Sequence, residues 1–429
     1  MTPRIETLAN GLRIVTEVQQ HARSTALGLW LVQGSRHEAE SEAGMTHFCE
    51  HLLFKGTGDL HWRDIARRIN IMGGHFNAVT CPDWVKVYGH VIRKDLPDAL
   101  RLLAAMMTRS AFPAPEVERE RNVILEEIAM YEDMPDDLCQ EHFTRALMLP
   151  HPLGRPVIGS EQSVASFSRD MLADYWSRVL NPADMILSVA GDFDHDEVVR
   201  LAEEELGRLT PRAFSKTGLE PLLTHPRHSL LDRELEQVNF SFGFAGPSCQ
   251  SPDRFIWAVY DTILGGGMGS RLFDEVREKR GLAYGIGSSI NALDRAGYIS
   301  VGGSTRPESA ALALDVCMEE IAKLAAEGPT ESELATAIQL IERSITIGQD
   351  SLGGRASTNG ERLVYAIDYL SMEEVLERYA SITPDDVQRV ARQVLNAGPP
   401  AVCLVGPLEE AKGIEETLAR MAKPLASCA

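Results

Sequence analysis

Structural cysteine chemistry is missing from this chain of 429 residues. Its seven cysteines are odd in number, widely scattered and without a Cys-x-x-C pair. A disulfide framework calls for an even set in a short secreted chain, so these read as free thiols of a reducing compartment. Long apolar runs are missing too, since no stretch approaches the ~20 residues of a membrane span. Positive charge is scarce: 42 Lys+Arg stand against 62 Asp+Glu, a formal charge of −20. A duplex-binding protein needs a basic footprint, so nucleic acid is not an expected partner; without an apolar span, neither is a membrane. An acidic balance favours basic or neutral partners instead. No signal-peptide core precedes Leu8-Ala9-Asn10-Gly11-Leu12-Arg13-Ile14-Val15, which reads as a hairpin with an Asn-Gly turn. No room for a presequence is expected, and the expected location is cytoplasmic. What is present is ordinary for a globular protein, with 44% hydrophobic and 24% charged residues. At ~100–200 residues per domain, the length suggests two to four domains.

Strand-like and helix-like segments alternate along the chain. Residues 26–32 and 84–91 have the run length and the β-branched or aromatic content of strands. Residues 95–110 and 116–133 carry apolar residues at helical spacing, and 185–191 reads as a buried strand before a helix at 194–206. A stretch rich in Pro, Gly, Ser and Thr follows, with Pro211, Pro221 and Pro226 and little periodicity. Beyond it the order repeats: strand 238–244, a helical segment ending at Phe273, two strands within 284–303, helices 308–325 and 331–347, and strand 401–406. The pattern predicts an α+β protein of two tandem, similar domains, each a mostly antiparallel sheet packed with helices. The expected division is 1–206, a linker at 207–227, and 228–429.

Histidine is the one asymmetry. Of twelve, ten lie between His21 and His195, His225 and His228 sit in or beside the linker, and none follows. Imidazole chemistry therefore belongs to the first half. His47 and His51 are four apart, so on a helix both rings project from one face, with Glu50 three residues after His47. Two imidazoles at this spacing can grip a zinc ion while a carboxylate reaches water, the zincin pattern reversed as H-x-x-E-H. An amphipathic helix with two polar-face histidines is the competing reading. Cys49 points elsewhere and reads as a small core residue.

A catalytic zinc wants three protein ligands and one open position. Among the acids of the 116–133 helix, Glu127 has Val123, Ile124, Met130 and Tyr131 as its neighbours in space. A lone carboxylate on an apolar face is costly unless something positive compensates it, as a metal would. Glu126 is the weaker candidate. Glu120, two turns before Glu127, could orient a ligand from behind, although taken alone an ordinary helix salt bridge is the better reading.

These residues, with Gly34, Gly44-Met45-Thr46 before and Leu52-Leu53-Phe54-Lys55-Gly56-Thr57 after the histidines, form a wider pattern. It continues in 73–78, in 118–127 and, in the second half, in 264–273 and 276–284. The chain resembles the pitrilysin-type zinc peptidases, closest to the branch of the mitochondrial processing peptidase β subunit and its bacterial relatives. The resemblance implies one Zn²⁺ per chain held by His47, His51 and Glu127, the last lying 127 − 51 = 76 residues on, with Glu50 as general base and Glu120 supporting the site. It also implies two similar domains in a clamshell-like arrangement, only the first binding metal. Asn77 and Ala78, on a strand that pairs with extended substrate, and the Arg277/Tyr284 pair would bind substrate. Taken alone, Asn77 reads as a turn or strand-end residue, and Arg277 and Tyr284 as a salt-bridge former and a core tyrosine. His75 reads as structural.

The expected function is a zinc metalloendopeptidase acting on short or unfolded peptides, processing-peptidase-like, with basic peptides suiting the acidic chain. A homodimer is the expected assembly, since one chain carries both sets of residues. The alternatives are a non-catalytic scaffold subunit of the same fold and the catalytic subunit of a heterodimeric peptidase.

Overall fold

The computed structural model describes residues 2–212, 216–220 and 227–423. Pro221, His225, Pro226 and Cys428 lie outside the described residues. The first sheet contains β1 (Arg4–Thr7), β2 (Arg13–Val18), β3 (Ser24–Leu31), β4 (His75–Thr80), β5 (Val85–Ile92) and β6 (Met185–Gly191) in the order β1-β2-β6-β3-β5-β4. The β1–β2 hairpin turns at Asn10-Gly11, where Gly11 takes φ +89°, a left-handed conformation that glycine adopts freely. All neighbours are antiparallel except β2 and β6.

Strand alternation divides this sheet into two faces. Leu27, Leu29 and Leu31 of β3, with Val85, Val87 and Val91 of β5, enter the main core. Four helices follow β3 and β5 in the chain: α1 (Met45–Leu52), α2 (Trp62–Met72), α3 (Leu96–Arg109) and α4 (Ala114–Glu132). The apolar stripe of α3, from Leu96 and Ala99 to Leu103 and Met106, buries itself in that core. The opposite face carries Ala26, Gly28 and Trp30 with Ile186, Ser188 and Ala190. Strand β6 is buried along its whole length, as a central strand covered on both faces must be.

The second sheet contains β7 (His228–Asp232), β8 (Val238–Ala245), β9 (Ala283–Leu293), β10 (Ala296–Thr305) and β11 (Ala401–Gly406) in the order β7-β11-β8-β10-β9. With β1 set aside, it repeats the first strand for strand, and its one parallel pair, β7 with β11, stands where β2 with β6 stands. The duplication is therefore a property of the fold. The helical segment expected to end at Phe273 stops at Leu264, and a separate turn of helix begins at Phe273; the glycines of 265–267 break it.

The chain does not divide linearly. One compact unit comprises residues 1–129, 155–219 and 346–369, and the other 130–154, 220–345 and 370–429. The expected 1–206 and 228–429 division is corrected at two helices. Helix α5 (Pro135–Met148) packs Leu138, Cys139, Phe143 and Leu147 against Ala401, Cys403 and Val405 of the second sheet. The helix Leu352–Val364 covers the outer face of the first sheet. An amphipathic helix shows which face it must bury but not which sheet it will cover. Polar contacts secure the second exchange: Asn359 Nδ2 donates to Glu17 at 2.7 Å, Arg355 pairs with the same carboxylate, and Arg13 donates to the Leu363 carbonyl at 2.8 Å.

Gly360 is the tightest point of that contact, because a Cβ there would meet the Trp30 ring at 2.5 Å. Replacing Gly360 with leucine should destabilise the protein by about 1–3 kcal/mol through overpacking. Urea unfolding should show this as a lower midpoint; an unchanged midpoint would contradict the described seating of the helix.

Candidate metal centre and active site

The site begins at the N-terminus of α1. Gly44 precedes it with φ +98°, and a Cβ there would meet the Ile158 carbonyl at 2.7 Å. The Glu38 carboxylate caps the helix, accepting from Gly44 N at 2.8 Å and from Thr46 N at 2.7 Å, which satisfies donors with no partner inside the helix. Thr46 Oγ1 lies 2.6 Å from the Tyr175 hydroxyl. Met45, Phe48, Cys49 and Leu52 then anchor α1 in the core, leaving His47 and His51 on the face turned to α4. Cys49 donates weakly to the Leu172 carbonyl and stays apart from the imidazoles.

His47 and His51 stand with ring centroids 4.7 Å apart. Glu127 reaches them from α4: its Oε2 lies 3.5 Å from His51 Nε2 and 3.9 Å from His47 Nε2. Glu126 is exposed and turned away. The apolar neighbourhood expected around Glu127 needs correction, because Val123, Met130 and Tyr131 are exposed and only Ile124 is buried. The imidazoles of α1, not a hydrophobic wall, set its surroundings. Among the described residues, His47, His51 and Glu127 are the one group of three potential ligands whose donor atoms converge, all within 4.8 Å.

The fit to a metal follows from those distances. Ligand bonds of ~2.0–2.2 Å around a tetrahedral zinc ion place neighbouring donor atoms ~3.3–3.6 Å apart. The His51–Glu127 separation of 3.5 Å meets this, while His47, 3.9 Å from Glu127, must move closer to both for a set now spread within 4.8 Å to close. Burial, with His51 adding to it, depresses the His47 imidazole to about 3, so it presents a neutral ring with a lone pair. Burial also acts downward on His51, but Glu120, Glu50 and Glu127 outweigh it and raise that imidazole. A divalent cation would neutralise the carboxylates that gather around His51. The donor set suits zinc.

Two acids flank the ligands. Glu120 Oε2 lies 3.3 Å from His51 Nδ1, and its other oxygen accepts from Lys55 Nζ at 2.7 Å. Burial would raise the Glu120 carboxyl, yet His51 and Lys55 hold it below its ordinary value. An ionised Glu120 fixes the proton of His51 on Nδ1 and leaves Nε2 free for the metal. His47 Nδ1 is buried with no partner among the described residues. Glu50 is 9% exposed and accepts from Thr80 Oγ1 at 3.3 Å. Burial raises its carboxyl, with His51 and Thr80 opposing the rise; a base held nearer neutrality is suited to moving protons.

Lys55 and Thr80 were not singled out by sequence reasoning. Lys55 stands four residues after His51, a helical spacing that could have flagged it, and Thr80 alternates with Ala78 on the face of β4 turned to α1. Asn77 stands on the other face of that strand, exposed, its Oδ1 accepting from Ala78 N at 2.9 Å. In the second unit, the Arg277 guanidinium lies over the Tyr284 ring at 5.0 Å and over Phe273 at 4.6 Å. Tyr284 is 81% exposed, so the core-tyrosine reading falls.

Comparison with known proteins gives the family. Residues 13–161 match the insulinase family (peptidase family M16), and residues 166–341 match the peptidase M16 inactive domain. An uncharacterized zinc protease of Streptomyces coelicolor is 36% identical over 416 residues, covering 95% of this chain and 90% of its own. One from Mycobacterium tuberculosis is 37% identical over 400 residues, covering 92% and 91%. The crystal structure of a peptidase M16 inactive domain from Pseudomonas fluorescens shares the fold with a TM-score of 0.88 at 21% identity, over 95% of this chain and 98% of that one. The chain belongs to peptidase family M16, and its near relatives carry the name zinc protease.

Glu38 generates a pH prediction. Full burial pushes its carboxyl up to about 7, while the Thr46 and Gly44 donors and Arg155 limit the rise. A carboxyl raised above the ordinary 4.5 takes up a proton on folding, so its contribution to stability is complete below that pH and lost as pH rises through 7. Urea midpoints of the wild type should therefore fall between those values relative to Glu38→Gln. Parallel pH curves for the two proteins would contradict the assignment.

Proposed function

We propose that this chain is a zinc-dependent endopeptidase whose ligands are His47, His51 and Glu127 and whose general base is Glu50. The observation that carries this reading is the convergence of two imidazoles from α1 with one carboxylate from α4, beside a buried, upshifted second carboxylate. When bound, the zinc ion supplies a Lewis acid at the site. Glu50 takes a proton from the attacking water as its oxygen bonds to the scissile carbonyl carbon, and returns it to the amine nitrogen as the C–N bond breaks. Thr80 aims the Glu50 carboxylate, and Lys55 with Glu120 holds the His51 ring. Peptide backbone would add to β4, which pairs with β5 alone among the described strands. Asn77 and Ala78 lie on that strand. Arg277 and Tyr284 remain substrate-binding residues by resemblance, supported by the exposure of Tyr284 and the half-buried Arg277 guanidinium over its ring.

The acidic chain suits basic, extended peptides, as in a processing peptidase. We place it as a homodimer, since one chain carries both sets of residues, and in the cytoplasm, where six described free thiols would stay reduced. No helix among the described residues is long and apolar enough to cross a membrane. Light scattering of the purified protein tests the assembly, where a mass other than twice 47.2 kDa would overturn it.

Glu50→Gln should bind zinc with wild-type stoichiometry and lose at least about a hundredfold in cleavage of a quenched peptide. A variant that keeps its zinc and cleaves at the wild-type rate would refute the role. Lys55→Met should leave the fold intact and weaken zinc binding by about 10–100-fold in competition with a chelator. Unchanged affinity would reduce the Lys55–Glu120 pair to a surface contact.

A further inference from the structure

On the face of the first sheet turned away from α1 lies a cavity of 170 Å³, roofed by the 352–364 helix. It exists because the residues that face each other there are small: Ala26 and Gly28 on β3, Gly353 and Ala356 on the helix. Its polar lining is made of groups that can donate hydrogen bonds, namely Lys86, Ser188, Ser357 and Tyr88, with His75 and His90. No carboxylate lines it among the described residues.

Lys86 dominates this space. It is 8% exposed, and its ammonium lies 4.3 Å from the centre of the Trp30 ring and 4.9 Å from that of Tyr88. Among the described residues its one hydrogen bond goes to Ser357 Oγ at 3.0 Å, although an ammonium carries three N–H donors. Glu361, one helical turn beyond Ser357, acts on it through space from outside the lining. Burial outweighs that help and makes the charged form harder to hold. A largely desolvated cation facing a partly open pocket lined by further donors is complemented by an anion.

We propose that this cavity binds a small organic monocarboxylate, its oxygens paired with Lys86 and the Ser357 hydroxyl and its apolar body filling the space beneath the helix. The single fixed charge suits a monoanion. The volume suits more than a bare inorganic ion, since a cavity of about 150 Å³ accommodates benzene. The site shares no residue with the metal centre, so the inference stands or falls independently of the peptidase reading.

Benzoate is the probe, titrated into the full-length chain by calorimetry and followed by saturation-transfer NMR. The wild type should bind benzoate, and benzyl alcohol, which has the same body without the charge, should bind at least about tenfold more weakly. Lys86→Met keeps the stem against the aromatic rings and should weaken benzoate by at least about tenfold. Gly353→Phe keeps the lysine but fills the mouth, where a Cβ meets nothing nearer than Ser351 Oγ at 3.9 Å; it should abolish binding. Circular dichroism and urea midpoints check that each variant folds, and Gly353→Phe decides if Lys86→Met does not. No benzoate binding to the wild type, equal binding of benzyl alcohol, or undiminished binding by a folded variant would overturn the proposal.

Discussion

The functional half of this molecule depends on one electrostatic requirement: the Glu127 carboxylate and two adjacent imidazoles must share a positive charge. Glu127 Oε2 stands within 4 Å of both His47 and His51, while Glu50 and Glu120 add further negative charge close by. Two of these carboxylates are buried, and buried charge is tolerated only when paired. A divalent cation bound there would meet the need and, on the proposed reading, supply the Lewis acid. The surrounding structure serves this arrangement, with Glu38 pinning the start of α1, the core holding its apolar side, and Lys55 holding Glu120.

Local features of the site were legible from residue order. His47, Glu50 and His51 lie within five residues, and helical periodicity alone places both rings on one face. Glu127 followed from resemblance and spacing more securely than from its neighbours, since the apolar residues around it face solvent. Glu38, Thr80 and Lys55 remained hidden because each acts through a contact made by folding: a cap from eight residues upstream, a cross-element hydroxyl, a cation beyond the helix end. Strand order was equally illegible, but the repeated sequence of elements exposed the duplication that the matched sheets display.

The exchange of α5 and the 352–364 helix shows what periodicity cannot reach. Phe143 advertises a buried face, and so does Ala356, yet only the outer surface of a sheet made elsewhere in the chain determines where each is buried. The same exchange leaves the cavity over Lys86, because a helix bearing glycine and alanine was set over a strand bearing glycine. The two faces of the first sheet thus carry separate sites, the converging His47, His51 and Glu127 toward α1 and the buried Lys86 beneath the exchanged helix.

The central claim is tested most directly by zinc K-edge X-ray absorption on the protein loaded with one equivalent of zinc. The account predicts a low-coordinate site with two imidazole nitrogens and a carboxylate oxygen at ~2.0–2.2 Å. A first shell of sulfur at ~2.3 Å, or an oxygen-only shell without imidazole scattering, would contradict it.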